Sequence, residues 1–188
     1  MSKKSIVYFI MLAVTPYLAV IPLLLTFVGS DELWQVFGNN AYNLFIPVAL
    51  FIILTGILTA VCFVLSLKNK WDAYALVKTM AIIKLIHIPA YIAIFIVGAF
   101  CALTVFSLPF TILLAVFDYL LLVMSGLMTS SAVILAVNQN PQLSKKYYLL
   151  IIFQFVYCVD VVATWIFYLN LKKEKGKIDN YIHNTENL

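Results

Sequence analysis

Hydrophobic positions in this chain neither alternate nor recur once per helical turn. They form five nearly unbroken runs, Ile6–Val28, Leu44–Leu67, Leu85–Phe106, Phe110–Val137 and Tyr147–Leu171, separated by short polar stretches. A hydrocarbon layer roughly 30 Å thick is spanned by about 20 residues of helix, and every run meets that length. Continuous apolarity, in place of alternation, excludes a membrane β-barrel. The pattern predicts an all-α fold: a polytopic transmembrane helix bundle of five spans forming a single membrane domain over residues 1–188. The alternative is four spans plus a re-entrant fifth segment.

The interruptions give the runs direction. Lys3 and Lys4 precede the first run as they would in a signal peptide, but the run is too long for such a segment and no A-x-A-like site closes it. A retained first helix is expected, kinked at Pro16 and Pro22, with freed carbonyls that neighbouring helices or water must satisfy. Gly29–Asn43 carries Asp31, Glu32, Trp34, Phe37 and Tyr42 and no lysine, which suits an outer interface. Lys68, Lys70 and Lys78 mark a basic loop, and Trp71–Ile83 reads as an interfacial helix leading into the third span. Ser107–Pro109 is a minimal hairpin, and Asn138–Lys146 is a polar loop with Pro141, Lys145 and Lys146.

With the N-terminus in the cytoplasm of a bacterial cell membrane, seven of these lysines lie inside and the intervening outer loops hold none. Lys172, Lys173, Lys175 and Lys177 break the pattern, because a fifth crossing puts them outside. Five crossings with the tail outside is the reading adopted. A last segment that does not cross removes the conflict.

Composition narrows the class further. Hydrophobic residues make up 64% and charged residues 11% of the chain, against roughly 45–50% and 25% in soluble domains. All twelve basic residues are lysines, consistent with an AT-rich bacterial source, so no guanidinium can clamp phosphate or carboxylate. The net charge of +4 is juxtamembrane, and no basic patch interleaved with aromatics marks a nucleic-acid surface. Cys62, Cys101 and Cys158 fall in three different runs without a C-x-x-C and read as packing residues. Neither a metal site nor a cofactor is expected.

Ionisable residues inside spans are costly and are functional candidates by default. Asp118 and Asp160 lie roughly 12 Å and 16 Å from the outer ends of spans four and five at 1.5 Å per residue. Two carboxylates at similar depth with no lysine beside them cannot both stay ionised, and a shared proton or bound cation relieves the conflict. Ser125 and Thr129 follow Asp118 at helical spacing, and Thr164 lies one turn from Asp160, beside Tyr157. These five residues are the candidate ligand or ion site. Thr55, Thr59, Cys62 and Ser66 form a similar stripe on span two. Gly56–Ala60, Gly98–Ala102 and Gly126–Ser130 are small-x-x-x-small pairs of the kind that let helices pack closely. Lys84, His87 and Tyr91 share a face of span three as a second, inner polar site. Lys84 is expected to snorkel, and His87, roughly 29 Å from the outer surface, to lie out of reach of the aspartates.

Lys84-Leu85-Ile86-His87-Ile88-Pro89-Ala90-Tyr91, with Phe117-Asp118 and Cys158-Val159-Asp160, resembles an uncharacterised family of small polytopic bacterial membrane proteins over about Lys78–Leu171. The resemblance implies a shared bundle and carries over no functional residue.

The expected function is binding, sensing or moving a small ligand or ion, linked to a proton or cation, through a polar bundle interior. A non-catalytic accessory or immunity-type subunit of a larger membrane complex is the alternative, with a membrane-protein partner or a second copy in the bilayer. An intramembrane enzyme is disfavoured. Phe117-Asp118-Tyr119 and Val159-Asp160-Val161 lack the motifs of intramembrane aspartyl proteases, and no H-E-x-x-H or G-x-S-x-G occurs. No catalytic residue is assigned.

Overall fold

The computed structural model describes residues 3–28, 35, 40, 43, 45–103, 108–139 and 145–186. It is all-α, 92% helical, with no strand among the described residues. The helices are α1 (Lys3–Val28), α2 (Phe45–Lys68), α3 (Ala73–Ala102), α4 (Leu108–Gln139), a 3-10 turn at Lys145–Tyr148, the one-turn α5 (Leu149–Phe153) and α6 (Val159–Glu186). Three segments, Ile46–Lys68, Ala73–Ala102 and Thr111–Gln139, are long and apolar enough to cross a membrane, and Ile6–Leu18 is a shorter apolar helix. The expected outer segment with Asp31, Glu32, Trp34, Phe37 and Tyr42, and the turn residues Ser107 and Pro141, lie outside the described residues.

Helices α3 and α4 form the central pair, with α1 and α2 on one side and α5 and α6 on the other. The apolar stretch of α4 is 72% buried, whereas that of α2 is 17% buried. The outward face of α2 is a strip of exposed Ile46, Leu50, Ile53, Ile57, Val61 and Val64. Water would penalise such a surface heavily; lipid tails do not distinguish it from a packed interior.

Local chemistry fixes the α2–α3 connection. Lys70 adopts a left-handed φ of 47°, Trp71 N donates to Ser66 O and Lys70 N to Leu67 O, a Schellman stop. Asp72 then caps α3 by accepting from Tyr74 N at 3.1 Å. The Gln139 side chain ties the end of α4 to this turn, accepting from Ala73 N at 3.2 Å and donating to Trp71 O at 2.7 Å.

Two expectations change. Trp71–Ile83 does not lie apart as an interfacial helix. Residues from Ala73 onward belong to α3 without a break, and Leu76, Val77, Met80 and Ala81 are buried in the bundle core. At 1.5 Å per residue α3 is about 45 Å long, longer than a hydrocarbon layer of roughly 30 Å requires.

The fifth run is not one continuous helix. It breaks over Gln154–Cys158, where Cys158 takes a left-handed φ of 64°. Tyr147 before the break stacks on Phe167 after it, with ring centroids 5.2 Å apart. Further along α6, Tyr168 meets Tyr74 at 5.9 Å, and the Lys175 ammonium sits 4.7 Å above the Tyr74 ring. Thus α6 runs antiparallel to α3 and passes beside the α2–α3 turn at Tyr168–Lys175, on the same side as Lys145, before continuing to Glu186.

Candidate functional site

Proline chemistry accounts for His87. Pro16 has no N–H, so the Leu12 carbonyl one turn earlier has no helical donor. His87 Nε2 lies 3.0 Å from that carbonyl and donates to it, and Nδ1 lies 3.3 Å from the Tyr91 hydroxyl. A neutral imidazole protonated on Nε2 satisfies both contacts. His87 is fully buried and fastens α1 to α3. Tyr17 reinforces the seam by donating to Ile86 O at 2.5 Å. The expected satisfaction of a proline-freed carbonyl is observed at Pro16.

Lys84 does not snorkel. It is fully buried roughly 17 Å above the start of α3, with its ammonium 2.9 Å from Asp160 Oδ2. It also donates to Gln154 Oε1 at 2.6 Å and lies 3.4 Å from the Asp160 carbonyl. Thr164 completes the cluster, its hydroxyl 2.8 Å from Gln154 Oε1 and 2.7 Å from Asp160 O. The two separate stations read from the sequence therefore merge at Lys84 and Asp160. A depth measured along a straight fifth run misplaces Asp160, because that run breaks over Gln154–Cys158.

The broken backbone is accommodated by a glycine. A Cβ on Gly126 would lie 2.9 Å from Gln154 O, so only a residue without one lets α4 approach the break this closely. Irregular backbone within an apolar run persists where other protein covers it, and Gly126 of α4 supplies that cover here.

Two open cavities flank the cluster. One, of about 600 Å³, is lined by Ile88, Tyr91, Phe95, Tyr157, Cys158 and Asp160 among others. The second, of about 310 Å³, is lined by Asp118, Gly98, Thr111, Phe95 and Tyr157 among others. Phe95 and Tyr157 are common to both. Tyr157 and Asp118 line the same cavity, and the Asp118 Oδ1 is buried without a hydrogen-bond partner. The tyrosines form a wall between the aspartates, with Tyr91 and Tyr157 ring centroids 5.8 Å apart.

The sequence candidates thus divide. Lys84, Asp160 and Thr164 are joined directly; Tyr91, Asp118 and Asp160 face cavities. Ser125 and Thr129 are buried and donate within their own helix, to Leu122 O and Ser125 O. On α2, Thr55 and Thr59 do likewise, and Thr59 also accepts from Tyr8 at 3.1 Å. Gln154 is the member that sequence reasoning missed. An amide inside an apolar run carries the same kind of desolvation cost that drew attention to the aspartates. Cys158 is exposed in the break, whereas Cys62 and Cys101 are buried as packing residues. No group of three or more His, Cys, Asp or Glu with metal-binding geometry occurs among the described residues. Comparison with known proteins finds no matching family model, curated protein or solved structure.

Proposed function

We propose that this chain is a bacterial cell-membrane protein with four crossings and a re-entrant hairpin, its N-terminus in the cytoplasm, and that it binds a small solute or ion beside that hairpin. Residues 147–153 enter the bilayer from the cytoplasmic side, the chain turns at Gln154–Cys158, and α6 returns. The observation that carries the reading is the buried Lys84–Asp160 pair at the turn, wired to Gln154 and Thr164 and bordering an open cavity through Asp160. Interrupted helices with charged groups at mid-depth are a recurring way to build a solute site in lipid, and intramembrane ion pairs commonly mark solute paths.

The hairpin also resolves the lysine conflict. With α6 passing beside the α2–α3 turn, Lys172, Lys173 and Lys175 join Lys68, Lys70 and Lys78 on one side. Every lysine except Lys84 then belongs to the cytoplasmic face, as the positive-inside rule requires.

Cysteine labelling in sealed vesicles tests both parts. In a Cys62→Ala/Cys101→Ala background, Cys158 is expected to react with a small water-soluble thiol reagent. With Cys158 also replaced by Ser, Lys175→Cys and Lys70→Cys are expected to react from the same side. A Cys158 that reacts only after detergent solubilisation overturns the solute site, since the cluster is then sealed. Labelling of positions 175 and 70 from opposite sides overturns the hairpin.

A further inference from the structure

The ionic balance around the cavities is uneven. Lys84 is committed to Asp160, Gln154 Oε1 and the Asp160 carbonyl. Asp118, beside Tyr157, has no ion-pair partner among the described residues, and its Oδ1 is buried without a hydrogen-bond partner. His87 is occupied by Leu12 O and Tyr91. The two cavities together therefore hold one carboxylate without a counter-ion. Around it the lining is almost wholly apolar or aromatic, with Ile94, Phe95, Ala99, Leu114 and Tyr157. Phe95, Ala99 and Ala115, which border this cavity, are also exposed on the outer surface of the bundle, so the cavity opens sideways between α3 and α4.

We infer that the cavity at Asp118, which shares Phe95 and Tyr157 with the larger one, binds a lipophilic cation, with its charge at Asp118 and its apolar body against Phe95 and Tyr157. This inference rests on the proposed solute site and names the chemistry that site takes. A half-buried, unpaired carboxylate attracts a cation, and aromatic faces add to that attraction through their quadrupoles. Both cavities, of about 310 and 600 Å³, fall within the roughly 300–1,000 Å³ usual for small-molecule pockets. The sideways opening suits a molecule that partitions into the bilayer first. An anion of the same shape meets the carboxylate and is repelled.

The test is equilibrium dialysis of the purified protein in neutral detergent against tetraphenylphosphonium and tetraphenylborate, ions of similar shape and opposite charge. Tetraphenylphosphonium is expected to bind saturably and tetraphenylborate not to bind. Asp118→Asn should weaken binding by about 10–100-fold, as for loss of an interaction with a charged group, and Asp118→Glu should retain it. Phe95→Trp, which keeps the charge and crowds the shared wall, should weaken binding too and serves if Asp118→Asn does not fold. Equal binding of both ions, absence of saturable tetraphenylphosphonium binding, or unchanged affinity in folded Asp118→Asn or Phe95→Trp protein overturns the inference. Because the solute site is judged by Cys158 labelling in vesicles, a wet site that ignores tetraphenylphosphonium refutes only the ligand chemistry.

Discussion

Replacing Asp160 with Asn strands the Lys84 ammonium in the bundle interior. Lys84 and Asp160 are 0% and 1% exposed, and their charged atoms are 2.9 Å apart. At that distance the attraction is about 6 kcal/mol for an effective dielectric constant near 20, before the cost of desolvating both ions is counted. Removing one partner of a buried pair costs about 3–5 kcal/mol, because the survivor is left uncompensated. Gln154 Oε1 still accepts from Lys84 at 2.6 Å, which keeps the expected loss for Asp160→Asn toward the lower figure. Lys84→Met leaves the carboxylate with no cation and should cost toward the higher one. The double variant Lys84→Met/Asp160→Asn carries no stranded charge, and should recover at least about 2 kcal/mol relative to the sum of the singles. Equilibrium unfolding in mixed micelles of rising denaturing-detergent fraction, followed by circular dichroism, measures all four states. Additive single effects, or singles each costing less than about 1 kcal/mol, would show that the pair is not coupled as its geometry requires.

His87→Phe should cost about 1–3 kcal/mol by orphaning the Leu12 carbonyl. The loss should shrink in a Pro16→Ala background, where the restored N–H can serve that carbonyl; the same unfolding assay reads both. Gly126→Ala should destabilise the protein and raise Cys158 labelling in vesicles, because the new Cβ meets Gln154 O at 2.9 Å. Gly98→Ala meets nothing within 4 Å and should change stability by no more than about 0.5 kcal/mol. Cys158→Gly should be neutral or stabilising, since φ 64° suits glycine, whereas Cys158→Val should cost about 1–3 kcal/mol; their midpoints in the unfolding titration separate the two.

Much of this architecture was legible from hydropathy alone. The cost of placing a side chain in hydrocarbon depends mainly on that side chain, so run lengths and interruptions identified the solvent and the helical class. The lysine pattern was also informative: the four lysines after Leu171 signalled that the last run conflicted with five crossings. Pro16 announced an orphan carbonyl, because a missing N–H is covalent fact. The identity of its partner, His87 on α3, was not readable.

What the sequence could not determine was the path of the fifth run. Transfer into lipid favours a straight crossing helix and a folded-back pair of helices on nearly the same composition, so periodicity and hydropathy do not separate them. The choice depends on contacts between distant segments: Gly126 admitting the Gln154 carbonyl, Tyr147 stacking on Phe167, and Tyr74 receiving Tyr168 and Lys175. Once the run turns, Asp160 meets Lys84 and is separated from Asp118 by Tyr157. Hydropathy along the chain determined that charged residues fall inside apolar runs. Tertiary structure decided that Asp160 is the carboxylate paired with Lys84, because pairing depends on distance in space and not along the chain.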